Sequence, residues 1–329
     1  MAQTETSYRA PDWAEIVAAH ARIAPRIHRT PVLTSLSLEA MTRARLFFKC
    51  ENLQKTGSFK IRGASNAILS LPDEESRKGI VTHSSGNHAA AVACAAAWRG
   101  ASAWIVMPKN APAVKIRAVE GYGGKISLCE PRVAARAEMA AGIQAETGAV
   151  MIHPYDDDRI IAGQATAAKE LLEDVPDLDA VLAPISGGGL LSGTLLSAKQ
   201  LHPEIRVYGC EPARADDAYR SLATGKLQAL ESSDTIADGL RASLAPRTFA
   251  ILRGNLDGIL LASEEEIISA TKLIWERMKI IVEPSAAIAL APLLRQDGVG
   301  QIADVSDRKP KIGVILSGGN VDLEALPFS

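Results

Sequence analysis

The sequence predicts an α/β fold built on an open, mostly parallel sheet, and three observations predict it. Short apolar, β-branched runs alternate with Ala-rich helical stretches over most of the 329 residues, the pattern of strand–helix–strand units with right-handed crossovers. Those runs are apolar almost throughout rather than at every second position, as strands buried on both faces read. Composition is that of an ordinary globular chain, 47% hydrophobic and 22% charged, with length enough for one large or two medium domains.

Taken in order, the first helix opens on a capping box, Asp12 with Glu15 three residues on. Strands are expected over 46–50, 79–82, 103–107, 125–128, 150–153, 180–185, 206–210 and 313–316. Between them the pattern predicts helices over 87–99, 134–147, 163–173 and 264–279. No internal repeat or low-complexity linker divides the chain. The polar segment 71–78 and the acidic run 156–158 read either as crossing points between two lobes or as solvated loops.

Several function classes are disfavoured at once. A formal net charge of −2 exerts no general pull toward nucleic acid or an anionic membrane, and 4% aromatic residues make a poor stacking platform for bases. No uncharged stretch approaches the ~20 apolar residues that span a bilayer. Residues 1–11 are polar and lack the basic-then-apolar layout of a signal peptide, so a cytoplasmic protein is expected. Cys50, Cys94, Cys129 and Cys210 form no C-x-x-C pair and sit in or beside apolar runs, which reads as reduced core thiols.

Four segments carry chemistry. Lys60 lies in Thr56-Gly57-Ser58-Phe59-Lys60-Ile61-Arg62-Gly63, among small and apolar residues where a helix begins, with Ser58 as its expected cap. Desolvation there favours the neutral amine, the form that attacks an aldehyde. Ser186-Gly187-Gly188-Gly189 follows a strand and leads into a helix, so its N–H groups can converge on a phosphate; it matches neither a P-loop nor a spaced dinucleotide fingerprint. Ser84-Ser85-Gly86-Asn87-His88 opens another helix and suits a carboxylate, with His88 expected to be structural. Ser317-Gly318-Gly319-Asn320 follows the last strand. On an open parallel sheet, ligands gather beyond the carboxyl ends of the strands.

Together these segments resemble the fold-type II pyridoxal 5′-phosphate (PLP) enzymes, the tryptophan synthase β-like family, and within it serine racemase and the serine/threonine dehydratases. The resemblance runs from about residue 23 to 323. Ser58–Gly63, Ser84–His88, Ile161–Gln164, Val314–Asn320 and Glu276–Lys279 leading to Glu283-Pro284 carry it. It implies two open, twisted, mostly parallel sheets flanked by helices. Residues 1–74 and 156–329 would form a large PLP-binding domain, and 75–155 a small mobile domain closing over substrate.

Residue by residue, the resemblance makes Lys60 the Schiff-base lysine that moves the Cα proton, and Phe59 a wall against the cofactor ring. Asn87 would bond the ring 3′-oxygen, Ser186, Gly187, Gly188 and Gly189 the phosphate, and Ser317 the pyridine nitrogen. Most relatives carry glycine where Ser186 stands. A hydroxyl at Ser317 leaves that nitrogen largely unprotonated, which suits elimination and racemisation. Ser84, Ser85 and Asn87 would hold the substrate carboxylate, with Ser85 as a second acid/base group opposite Lys60. Arg136 would reach a distal substrate group on closure. Glu211, Ala215 (through its carbonyl) and Asp217 would hold Mg²⁺, or Ca²⁺ or Mn²⁺, through hard oxygens.

Two departures bear on substrate. Ala90 replaces the usual glutamine and makes the pocket roomier, whereas Arg241 would favour an acidic side chain. The expected activity is α,β-elimination by a hydroxy-amino-acid dehydratase, an ammonia-lyase. It would convert a serine, threonine, 3-hydroxyaspartate or phenylserine type of substrate to a 2-oxo acid and ammonia. The alternative is an amino-acid racemase with dehydratase side activity. A PLP-binding protein without catalysis fits the intact Lys60, Ser85 and Ser317 poorly, and a dinucleotide oxidoreductase lacks its fingerprint. A homodimer is expected from the family. The chain ends at Ser329, soon after the last motif, so no C-terminal regulatory domain is expected.

Overall fold

The structure, a computed structural model, describes residues 8–84, 86–303 and 308–326. Among the described residues ten strands form two sheets: β1 (Val32–Leu33), β2 (Arg45–Cys50), β3 (Ile80–His83), β4 (Ala103–Pro108), β5 (Lys125–Cys129), β6 (Val150–Met151), β7 (Ala180–Pro184), β8 (Arg206–Pro212), β9 (Gly258–Ala262) and β10 (Lys311–Leu316). The larger sheet runs β1-β2-β10-β7-β8-β9 and the smaller β5-β4-β3-β6. Every pairing is parallel except the two-residue edge strand β1 against β2. Strands β7 and β10 are buried along nearly their whole length, as their unbroken apolar runs require.

The expected strands all form, with ends shifted by a residue or two. Only 150–153 differs in kind: pairing stops at Met151, and His153-Pro154 turns out of the sheet. Strands β1 and β9 escape sequence reading, one for its two-residue length and the other because it is half-buried at a sheet edge. The helix predicted over 163–173 begins earlier, at Asp158, because Asp157 caps it by accepting from Arg159 N. The first helix, Trp13–Ile23, has the expected capping box at Asp12 and Glu15. All four cysteines are free and buried, and no described helix is long and apolar enough to cross a membrane.

Helices Lys60–Leu69 and Asp158–Asp174 touch backbone to backbone. A Cβ on Gly163 would lie 2.6 Å from both Arg62 O and Gly63 Cα, so glycine sets their separation. The contact fixes the height of the helix whose first residue is Lys60. Beneath it lies a cluster of charges away from solvent. Arg62 donates to Glu51 (2.7 and 2.8 Å) and to Glu170 (2.9 and 2.8 Å), and Lys49 donates to Glu170 at 2.7 Å. Burial alone would lower the Arg62 pKa, but the two carboxylates hold it above its ordinary value and keep it charged.

Replacing Gly163 with alanine is expected to lower unfolding stability by about 1–3 kcal/mol through overpacking. Chemical denaturation checks this; an unchanged midpoint would mean that the two helices separate freely.

Candidate active site

The carboxyl ends of β2, β10 and β7 lie side by side, because the last strand inserts between the other two: Ile312 is paired with Leu46 on one side and Ala180 on the other. The turns after these strands therefore share one edge of the sheet. Ser58 and Gly318 form an isolated bridge, Phe59 N donates to Ser317 O at 3.0 Å, and Gly319 N donates to Gly57 O at 2.9 Å. The lysine segment and the last glycine turn are thus zipped together. The helix cap is Phe59 rather than Ser58, whose buried hydroxyl has no partner; the zipper, not a cap, sets where the helix starts.

Lys60 is partly exposed to the cleft. Its amine donates to Pro154 O at 3.2 Å and lies 5.1 Å from the centre of the Phe59 ring. Removal from water pushes its pKa down to about 8, with Glu283 pulling the other way. Glu283 itself is buried and pushed up to about 7 by desolvation and by Asp238. One of its oxygens accepts from Asn87 Nδ2 at 2.8 Å, and the other has no partner. Asn87 Oδ1 in turn accepts from Asn320 Nδ2 at 3.0 Å, which also reaches Thr56 O at 2.8 Å. This chain fixes the Asn87 amide. Ser317 is buried, with its hydroxyl 3.5 Å from Ser285 O.

The glycine turn after β7 backs onto Tyr155. A Cβ on Gly187 would lie 2.4 Å from that ring, and one on Gly188, at φ +88°, 2.7 Å from both Leu244 and Thr248. Three consecutive glycines let the turn pack directly against Tyr155, Leu244 and Thr248, with no side chain of its own in front of the N–H groups at the start of helix Gly189–Leu201. A half-buried lysine amine, a turn of consecutive glycines at a helix start and orphaned buried atoms on Ser58 and Glu283 fit an aldehyde cofactor carrying a phosphate. Lys60 and Phe59 are joined to the Ser317 turn, Asn87 to Glu283 and Asn320, and the Ser186–Gly189 turn follows the strand next to that of Ser317.

The remaining predicted residues divide. Ser84 lies at the end of β3, its Oγ accepting from Gly86 N at 3.3 Å; Ser85 lies outside the described residues. His88 is buried, neutral and bonded to Ile152 O at 3.2 Å, the structural role expected of it. The Nε of Arg136 is buried without a partner among the described residues. Near it stands His83, whose ring lies 6.2 Å from that of His153 and edge to face; both imidazoles are held below the ordinary histidine pKa first by burial. His153 Nδ1 accepts from Asp156 N at 2.9 Å, so its proton sits on Nε2. Arg241 turns away, onto the Thr235 carbonyl.

Glu211 and Asp217 lie behind the cradle rather than in the cleft. Glu211 accepts from Ala218 N (2.9 Å) and Tyr219 N (2.8 Å), and Asp217 from Leu244 N at 3.1 Å. Ala215 is buried beside them in the chain. No group of three or more His, Cys, Asp or Glu side chains is placed for a metal among the described residues. Sequence reading missed Tyr155, His83, His153 and any role for Glu283. Each is an ordinary residue type until the fold brings it to the cleft; the one available signal was the His153-Pro154 pair just after β6.

The family model described as "Pyridoxal-phosphate dependent enzyme" matches residues 23–307. The chain is similar to serine racemase of Oryza sativa subsp. indica, at 49% identity covering 96% of this chain and 93% of that one. It is also similar to a beta-hydroxyaspartate dehydratase of Paracoccus denitrificans, at 48% identity covering 97% and 99%. Among solved structures, maize serine racemase superposes with a TM-score of 0.93 at 49% identity, covering 96% and 95%. On fold, site and relatives alike, the chain belongs to the fold-type II pyridoxal-phosphate dependent enzymes, in the serine racemase and dehydratase group.

Proposed function

We propose that this enzyme is a dehydratase that eliminates water from a β-hydroxy amino acid, giving a 2-oxo acid and ammonia. The observation that carries the reading is Lys60, a half-buried amine whose pKa is pushed down to about 8 at the cleft. PLP, when bound, supplies an electron sink that acidifies the Cα–H of an attached amino acid. Lys60 takes the Cα proton, and the β-hydroxyl leaves with a proton as water. The resulting enamine hydrolyses to the 2-oxo acid and ammonia. Ser186–Gly189 hold the phosphate, Asn87 the ring oxygen and Ser317 the pyridine nitrogen. Ser84 and Ser85 take the substrate carboxylate. Racemisation, with Ser85 as the opposite-face acid/base group, is the second reading, favoured by the similarity to serine racemases.

For the side chain, Arg136 favours an acidic substrate of the 3-hydroxyaspartate type. Its buried Nε lacks an acceptor among the described residues, and burial lowers the pKa of the nearby His83, which therefore does not compete for an anion. The similarity to a beta-hydroxyaspartate dehydratase supports the same choice. The pair Glu211 and Asp217 fits a divalent cation, with the Ala215 carbonyl as a third oxygen. Burial and neighbouring carboxylates push Glu211 up to about 8 and Asp217 up to about 6, the situation that a bound cation relieves. The reading includes a cytoplasmic homodimer whose residues 75–155 move as the small domain.

Capture of PLP by the cofactor-free chain, followed by absorbance, is expected to accelerate as pH rises through about 8. The neutral Lys60 amine is the reactive form, and it predominates only above that pKa. Lys60→Ala abolishes both capture and keto-acid release; a Lys60→Ala chain that still releases keto acid would sink the assignment. Arg136→Ala is expected to raise KM for 3-hydroxyaspartate by about 30-fold or more while leaving serine nearly unchanged, read by keto-acid release from each substrate. Inversion at Cα with no keto acid from any substrate would move the assignment to a racemase. Mg²⁺ is expected to raise the melting temperature, EDTA to reverse the gain, and Glu211→Gln to remove the response.

A further inference from the structure

The segment 238–248 joins the mouth of the cleft to the back of the glycine cradle, and hydrogen bonds pin it along its length. Gly239 N donates to Ser285 Oγ at 2.9 Å. Ser186 Oγ and Ala242 exchange two bonds, hydroxyl to carbonyl and N–H to hydroxyl, both at 3.1 Å. Leu244 N donates to Asp217 at 3.1 Å, and Thr248 Oγ1 to Gly187 O at 2.8 Å. The segment is a strap fastened to the cradle at Ser186 and again at Gly187.

At the front of the strap, Asp238 forms an ion pair with Lys115. Lys115 stands on helix Ala113–Gly121, between β4 and β5, so the pair joins the layer of the smaller sheet to that of the larger. Its side chain is 11% exposed and that of Asp238 36%. The lysine stem lies across the carboxylate loop: a Cβ on Gly86 would be 2.9 Å from Lys115 Cδ and 3.2 Å from its Nζ. One cation therefore touches the loop that receives a substrate carboxylate and, at its tip, the strap that backs the phosphate cradle. The pair can form only while the two layers are close.

We propose that Lys115 and Asp238 are the latch that holds the substrate pocket closed, with Ser186 the positioning residue that sets it through the strap. The ion pair supplies attraction across the cleft, and with Lys115 largely enclosed and Asp238 partly exposed it is screened less than a pair standing wholly in water. Closure presses the Lys115 stem onto Gly86 and fixes the carboxylate loop. The Ser186 hydroxyl ties the strap to the cradle, so Asp238 is presented to Lys115 at one height. A glycine at 186 offers no such tie. This inference rests on the proposed site but not on which reaction occurs there.

The test uses the PLP-loaded enzyme and glycine, an amino acid with no β-hydroxyl and no stereocentre, titrated against the absorbance of the bound cofactor. Lys115→Met and Asp238→Asn are each expected to weaken glycine about tenfold, within the usual range for coupling between two states. The exchanged pair, Lys115→Asp with Asp238→Lys, recovers part of the loss. Ser186→Ala weakens glycine a few-fold alone and adds nothing in the Asp238→Asn background, because both act through one contact. Wild-type glycine affinity in both single variants, or no recovery in the exchanged pair, overturns the latch. Additive losses for Ser186→Ala and Asp238→Asn overturn the part given to Ser186. Should a single variant fail to fold, the wild-type titration at rising ionic strength decides: unchanged glycine affinity overturns the latch. If glycine binding behaves as expected but no substrate yields keto acid, the dehydratase reading falls and the latch stands.

Discussion

Everything at the cleft hangs from the Arg62 guanidinium. Two residues beyond Lys60, it is fully enclosed and faces Glu51 at the end of β2 and Glu170 on helix Asp158–Asp174. Lys49 completes a group of two cations and two anions with no net charge. Such a cluster is not chiefly a source of stability, since desolvation offsets most of its attraction. Its value is directional. Any shift of the Lys60 helix would strand a buried charge, at a cost of roughly 3–5 kcal/mol, so the helix has one permitted position. Close contact at Gly163 allows no compensation by sliding.

From that fixed helix the electrostatics of the cleft follow. Lys60 loses water without gaining a carboxylate at hydrogen-bonding distance, and its charge is disfavoured. Glu283 is kept at Asn87 by a single bond and lifted by the same dryness. A base and an acid with pKa values brought toward each other and toward neutrality are what proton transfer at ordinary pH requires. Glu170, on the helix packed against that of Lys60, behaves oppositely: although burial raises it, hydrogen bonds from His20 and Arg62 hold it well below the usual carboxylate range. Partner supply, not burial alone, separates structural carboxylates from reactive ones.

Much of this was legible in the sequence because it depends on local rules. Strand runs, the glycine turn before a helix and the capping box at Asp12 each need only neighbouring residues, and the segments around Lys60 and Asn87 resembled one family nearly throughout. What could not be read depends on distant pairing. Nothing near Asp238 in the chain announces Lys115, and nothing near Tyr155 announces the cradle it covers. Ser58 was expected to cap a helix because local chemistry allowed it; a bridge to Gly318 took precedence. Likewise Arg241 was a candidate by type alone until Thr235 took up its guanidinium.

The position of β10 has a consequence for synthesis. Although it is made after the other nine strands described, it occupies the middle of the larger sheet, between β2 and β7. Until it emerges, β2 and β7 each present an open parallel edge, and the cradle has no neighbour across the gap. Nascent chains thus carry two apolar, unpaired edges for the time needed to translate everything between Pro184 and Leu316, a window in which pairing with another chain competes with folding. A stalled or prematurely ended product would be sticky rather than merely inactive. Demand for a holding chaperone should be concentrated in that interval.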